Sequence, residues 1–234
     1  ISRLSSSTPK MRVYPIDSVA GIGTPYADPA SSPYNSPNGT ADVQFNPSGT
    51  HLICLGKSSA AESLGLSYYP FNVSTGFGAL ASSTVLVVGN PQKLHFNPNG
   101  NVVFAAYGMT TYNTTNVLSA WPWNASTGFG VGYSNPTSIG GTTSTAYEVN
   151  VNKAGNAVAI AATRTPYLYV YPWNDSTGFG TKFSNPSTLP AGSGYAVKFN
   201  SNDSAIAIGM SSTPYVHVYA WNNGTGFGAK YANP

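Results

Sequence analysis

Few residues in this chain could do acid, base, nucleophilic or metal chemistry. There are three histidines, seven carboxylates and one cysteine among 234 residues. His51, His95 and His217 lie in three different segments, with no second ligand at the short spacing that zinc sites use. Each reads as a structural strand histidine. The acids are Asp17, Asp28, Asp42, Glu62, Glu148, Asp175 and Asp203. Glycoside hydrolysis needs two facing carboxylates. Asp42 and Glu148 each open a strand-like run, DVQFN and EVNVN, and are the pair that a closed sheet array could bring together. No motif accompanies them. GxSxG, GxxxxGK[ST] and HExxH are absent. The expectation is a chain that is not an enzyme, with no catalytic, metal or cofactor-binding residues and no cofactor. Cys54, inside HLICLG, reads as a small buried hydrophobe.

Two further residue classes could carry function. Asn38, Asn72, Asn113, Asn124, Asn174, Asn202 and Asn223 each begin N-x-S/T. Asn72, Asn124, Asn174 and Asn223 are the N-glycosylation candidates, although Asn, Ser, Thr and Gly also suit tight turns for backbone reasons. Tyrosine occurs 16 times. Tyr167, Tyr169, Tyr171 and Tyr215 fall at recurring positions that suit sheet packing first and sugar stacking second.

These residues sit on a repeat. YPIDSVAGIG (14–23), YPFNVSTGFG (69–78), WPWNASTGFG (121–130), YPWNDSTGFG (171–180) and YAWNNGTGFG (219–228) are versions of one motif. Their glycines Gly21, Gly76, Gly128, Gly178 and Gly226 are 55, 52, 50 and 48 residues apart, the spacing of propeller blades. Within the last unit, YAVKFN alternates like a strand, NSNDS is a turn, AIAIG is a second strand, SSTP a turn, YVHVYAW a third strand, NNGTG a hairpin signal and FGAKYANP an outer strand. DVQFN, KLHFN and EVNVN repeat the first strand. LICLG, VVFAA and VAIAA repeat the second, as continuous apolar runs that call for burial on both faces.

The expected fold is therefore all-β, a β-propeller of about five four-stranded antiparallel blades forming one domain over 1–234. The units are 1–40, 41–91, 92–144, 145–193 and 194–234. SSTPKMRVYPI (6–16) aligns with SSTPYVHVYAW (211–221), so the first blade lacks its inner strand. The chain is either five blades or a window on a larger propeller. Phe71, Trp123, Trp173 and Trp221, with Phe77, Phe129, Phe179 and Phe227, are expected to pack between blades as a clasp. The stretch after Gly78, ALASSTVLVVGNPQ, and the polar segment 29–41 depart from the pattern and read as partner-facing loops.

Charged residues make up 7% of the chain and the net charge is +3, with no basic stripe of the kind that nucleic acid requires. No run of eighteen apolar residues occurs, so no membrane insertion is expected. No signal peptide is visible, and the opening Ile points to a processed or trimmed product. Thr165-Pro166-Tyr167, Val170-Tyr171-Pro172-Trp173, Gly178 to Pro186 and Leu189-Pro190 resemble the WD40-like propeller repeats of bacteriophage virion proteins, over nearly the whole chain. No Trp-Asp dipeptide closes a repeat, which sets the chain apart from typical eukaryotic WD40 scaffolds. The resemblance implies a virion structural or adhesion module, extracellular or on the particle. Such a module would present loops to a host surface or to other subunits of an assembly. The alternative is a secreted, lectin-like carbohydrate-binding propeller carrying N-glycans.

Overall fold

The computed structural model describes residues 11–31, 40–57, 63–109, 116–137, 139 and 144–233, with the side chains of 63, 64 and 82–88 excepted. The described residues contain strands and turns and no helix. The chain divides into two compact units, residues 1–91 and 92–234. In the first, β1 (Ile16–Asp17) and β2 (Gly21–Ile22) form a hairpin. The sheet after it contains β3 (Thr40–Phe45), β4 (His51–Lys57), β5 (Ser63–Asn72) and β6 (Gly76–Phe77) in that order, with β7 (Ala81–Val88) added on β5. The second unit carries three four-stranded sheets. They are β8 (Asn90–Phe96), β9 (Val102–Gly108), β10 (Leu118–Asn124) and β11 (Gly128–Phe129); β12 (Ala146–Val151), β13 (Ala157–Ala162), β14 (Leu168–Asn174) and β15 (Gly178–Phe179); and β16 (Gly194–Phe199), β17 (Ala205–Met210), β18 (Val216–Asn222) and β19 (Gly226–Lys230). Neighbouring strands run antiparallel in chain order, the plan of a propeller blade.

One asparagine shapes the first turn of each blade. Asn97 Oδ1 accepts the N–H groups of Asn101 and Val102, both at 3.0 Å. Asn152 does the same for Asn156 and Ala157, and Asn200 for Ser204 and Ala205. In β3–β4 the amide of Asn46 accepts from His51 N. A short side chain that accepts from the backbone holds these turns where no ladder bond is available.

The second strands are buried on both sides, as continuous apolar runs require. All six residues of β13 are buried. Val158, Ile160 and Ala162 pack with Phe104 and Ala106 of β9, whereas Ala157, Ala159 and Ala161 pack with Ile206 and Ile208 of β17. Alternation along one strand thus serves two neighbouring blades. Buried tyrosines fasten the connections. Tyr171 and Tyr219 donate to the carbonyls of Thr137 and Thr188, each at 2.9 Å, and Tyr69 donates to that of Ser31.

The aromatic residues of the repeated motif meet in pairs. Ring centroids are 5.6 Å apart for Phe71 and Phe77, 4.8 Å for Trp123 and Phe129, 4.8 Å for Trp173 and Phe179, and 5.2 Å for Trp221 and Phe227. A third ring arrives from the preceding blade. Tyr133, which follows β11, lies 4.9 Å from Trp173 and 3.2 Å from where a Cβ on Gly178 would be. Gly178 has φ +81°, which L side chains resist. Tyr133 also donates to the carbonyl of Asp175 at 2.6 Å. Tyr26 repeats the arrangement on Gly76, Phe71 and the carbonyl of Val73, and Phe183 repeats its ring contacts on Gly226 and Trp221.

One segment differs from the sequence reading. ALASSTVLVVGNPQ, expected as a loop, contributes β7, paired with β5 from Tyr68↔Ala81 to Ser63↔Val88. The residues that would have supplied a docking aromatic are used as an outer strand instead. Outer strands elsewhere are two residues long, and only β19 extends to five. Residues 6–10 of the first blade's segment 6–16 fall outside the described residues, as does most of the 29–41 segment.

Trp173 is 4% exposed and touches Phe104, Tyr133 and Phe179. Trp173→Ala is expected to lower unfolding stability by about 3–5 kcal/mol. Tyr133→Phe, which keeps the ring and loses one hydrogen bond, should cost only about 1 kcal/mol. Urea denaturation of the two variants checks this, and equal losses would place the weight on the hydroxyl rather than the ring.

Candidate functional site

The first strand of each blade has one apolar face and one polar face. Leu94, Val149 and Val197 are buried. Between and beside them stand Lys93 and His95 on β8, Glu148 and Asn150 on β12, and Lys198 on β16. These side chains link three blades of the second unit. Lys198 Nζ lies 3.0 Å from Glu148 Oε1, and the glutamate side chain is only 14% exposed. Asn150 is buried. Its Oδ1 accepts from Phe199 N at 2.9 Å, and its Nδ2 lies 3.3 Å from His95 Nε2. The backbone N–H fixes the amide, so the NH2 group faces the imidazole. His95 Nε2 must then accept, which makes the ring neutral with its proton on Nδ1. Burial, then the positive charges of Lys198 and Lys93, push the His95 pKa down to about 4, in keeping with that assignment.

At the leading end of the same strands the register slips by one residue, between Ala146 and Glu148 and between Gly194 and Ala196. A bulge re-aims the extra side chain. The extra residues are Tyr147 and Tyr195, whose rings lie 4.9 Å apart at 51°. Tyr195 is 50% exposed. The same slip occurs on β3 between Thr40 and Asp42, where the extra residue is Ala41. Two aromatic rings, an ion pair and a neutral imidazole held by an amide therefore follow one another along β12 and its neighbours. Such a set can stack a flat apolar ring face and offer both donors and acceptors to hydroxyl groups.

The other sequence candidates fall as follows. Glu148 is ion-paired with Lys198, and Asp42 is on β3 of the first unit. His217 is buried beside Tyr219, its Nδ1 3.1 Å from the phenol oxygen, and His51 Nδ1 lies 3.1 Å from Thr50 Oγ1. Cys54 is buried with its thiol toward Met11 Sδ at 3.7 Å, and burial pushes its pKa up, which makes it a poor nucleophile. Asn72, Asn124 and Asn174 are exposed turn residues whose Oδ1 accepts the N–H two residues on. In the last blade Asn222 takes that role. Asn223 instead accepts from Trp221 Nε1 at 2.7 Å and Asn152 Nδ2 at 2.9 Å. Tyr169 and Tyr171 are buried packing residues, and Tyr215 is exposed at φ +67°. Tyr147 and Tyr195 were not singled out by sequence; the signal was an extra residue before each V-x-V/F strand core.

No protein family profile matches the sequence, and no curated protein matches it. Solved structures do. A protein from Bacteroides fragilis named as a candidate 6-phosphogluconolactonase superposes with TM-score 0.66 at 11% identity, over 95% of this chain and 63% of its own. A similarly named protein from Bacteroides uniformis gives 0.63 at 13%, over 95% and 64%. The Dos1 propeller gives 0.60 at 11%, over 95% and 55%. At these identities the likeness shows the fold, which is that of a β-propeller. The chain spans under two-thirds of the length of each. The expectation that the chain is not an enzyme is corrected here. Two of the solved structures that it matches are named as candidate 6-phosphogluconolactonases, so the absence of a catalytic motif does not exclude catalysis.

Between pH 6.5 and about 4 the unfolded chain binds a proton at His95 that the folded chain does not. Stability should therefore fall as pH drops through that window and be flat above it, with His51 and His217, also lowered by burial, adding to the slope. His95→Gln should reduce the loss by about 1–3 kcal/mol. Urea midpoints at pH 7.5 and pH 4.5 measure it, and an unchanged difference would show that His95 is not the titrating group.

Proposed function

We propose that the chain is a recognition module that binds carbohydrate through the first-strand site, and that it serves as an adhesion component of a virion. The observation that carries this reading is the Tyr147–Tyr195 ring pair beside the Lys198–Glu148 ion pair. Aromatic faces gain from the C–H side of a sugar ring, and an ion pair with an adjacent amide and imidazole provides directional partners for its hydroxyls. The low-charge surface fits a particle exterior, and the resemblance of the repeats to phage virion propellers supplies the setting. Many copies on one particle would turn a weak site into firm attachment.

A second reading, a secreted or cell-surface lectin-like propeller, is favoured by the exposure of Asn72, Asn124 and Asn174 on equivalent turns. Intact mass of the natively isolated protein separates the two settings, because glycans on these residues require a secretory route.

A glycan array tests the shared core of both readings. It should include neutral and acidic sugars, with phosphorylated sugars and sugar lactones added because of the names of the structural neighbours. The wild-type chain is expected to bind a defined subset. Tyr195→Ala should weaken that binding by tenfold or more, about 1.4 kcal/mol, while leaving the far-ultraviolet spectrum unchanged. Absence of binding at high protein density, or binding indifferent to Tyr195, would overturn the proposal.

A further inference from the structure

The joint between the β12–β15 and β16–β19 sheets, both in the second unit, repeats the polar bond of the joint before it with one exchange of charge. In the earlier joint Trp173 Nε1 donates to Asp175 Oδ1 at 2.6 Å, and Asn97 Nδ2 and Asn101 Nδ2 donate to the same carboxylate at 3.2 and 3.1 Å. In the later joint the acceptor is an amide. Trp221 Nε1 donates to Asn223 Oδ1 at 2.7 Å, and Asn152 Nδ2 donates to it at 2.9 Å. The carboxylate here comes from a different residue. Asp203 accepts from Lys153 N at 2.9 Å, from Ala154 N at 2.8 Å and from Asn152 Nδ2 at 3.2 Å.

Asp203 stands where the matching turns have glycine. Gly49, Gly100 and Gly155 have φ of +70°, +69° and +71°, and Asp203 has φ +55°. Asp is among the few side chains that accept this conformation. From it Asp203 reaches the turn of the preceding sheet, as a Cβ on Gly155 would come within 3.6 Å of Pro98. Pro98 has no N–H to offer a carboxylate, whereas Lys153 at the same turn position has one. Among the described residues each of these two joints therefore holds one carboxylate, Asp175 together with Gly155 or Asp203 together with Asn223.

Asn223 is followed by Gly224, which has no Cβ to keep its nitrogen away from the side-chain carbonyl carbon. Asn223 is half-buried and Gly224 is exposed, so water reaches the pair. The two donors on Asn223 Oδ1 polarise Cγ, and they stand where negative charge develops when that carbon is attacked. The Gly224 N–H donates to Asn222 Oδ1 at 2.9 Å. That bond must open before the nitrogen can attack, which makes the reaction slower in the folded chain than in the unfolded one.

We propose that Asn223 is a site of spontaneous deamidation, and that its conversion loosens this joint by adding a second carboxylate beside Asp203. The Gly224 nitrogen gives its proton to hydroxide and bonds to Asn223 Cγ. The Cγ–Nδ2 bond then breaks, Nδ2 takes a proton from water and leaves as ammonia, and a cyclic imide remains. Water opens the imide. Cleavage of its N–Cγ bond gives aspartate, and cleavage at the backbone carbonyl carbon gives isoaspartate, which lengthens the turn. Either product carries a new negative charge. Asn152 Nδ2 serves both Asn223 Oδ1 and Asp203 Oδ2, so two like charges then face one donor and repel. The proposal does not depend on the carbohydrate reading, because none of these residues belongs to that site.

Two measurements on the full chain test it. The folded protein is held in mildly alkaline buffer, and peptide mapping by mass spectrometry follows Asn223 and the exposed Asn99, which also precedes a glycine. Asn223 is expected to gain the deamidation mass. Urea denaturation then compares Asn223→Asp in two backgrounds. In the wild-type chain the substitution should lower the midpoint. In an Asp203→Asn chain it should not, because one carboxylate then remains, as in the joint at Asp175. Asn223 left intact after Asn99 has converted overturns the proposal. So does a midpoint for Asn223→Asp at or above wild type, or an equal loss in both backgrounds. If Asp203→Asn fails to fold, Asp203→Gly, which restores the residue of the matching turns, takes its place.

Discussion

The joint between an aromatic ring and a glycine hairpin is the contact on which the blade-to-blade order within each unit rests. Its parts are mutually dependent. The hairpin can close only with positive φ at Gly76, Gly178 or Gly226, and the same missing Cβ leaves room for the ring of the preceding blade at about van der Waals distance. The next glycine of the motif serves a second contact. A Cβ on Gly78, Gly130 or Gly180 would come within 3.1 or 3.2 Å of Pro70, Pro122 or Pro172 on the third strand. Gly-aromatic-Gly is thus a steric statement, in which one glycine admits the neighbouring blade and the other lets the hairpin lie flat on its own.

That joint lies at the outer strands, and a polar bond reinforces it. Trp173 Nε1 donates to Asp175 Oδ1 at 2.6 Å, and the same carboxylate accepts from Asn97 and Asn101 of the preceding blade. Trp221 Nε1 uses Asn223 Oδ1 in the same way, with Asn152 as the second donor. An indole buried at 4–5% exposure keeps its N–H satisfied, and the acceptor it uses holds the turn of the neighbouring blade. The sequon at Asn223 is therefore half of a blade contact, which sequence could not separate from the exposed sequons of the other turns.

The strands and their order were readable because two-sided burial leaves continuous apolar runs and the hairpin leaves a glycine that recurs every 48 to 55 residues within this one chain. VAIAA and AIAIG fall in β13 and β17 as expected. Two things were not readable. The segment after Gly78 has the composition of either a loop or an edge strand, and only pairing with β5 decides. The bulges at Tyr147 and Tyr195 depend on register, which alternation alone does not fix to a single residue. The candidate site was hidden for that reason: its two rings occupy positions that exist only because a strand carries one residue too many.

The inner and outer parts of a blade answer to different demands. At the outer joint each repeat must supply an aromatic residue, a glycine and a second aromatic residue, and the substitution of Ile16 and Ile22 for them coincides with exposure of both. At the equivalent inner position the four described first strands carry Gln44, His95, Asn150 and Lys198. One is a neutral amide acceptor and donor, one an imidazole, one a second amide and one a cation, yet their strands pair in the same order with the same second strands. Backbone ladders and the outer joint must therefore set blade geometry, because no common interaction of these four side chains could do so. A position that the frame leaves free, on strands that the frame holds rigid, is where a repeat protein can vary its chemistry without changing its shape.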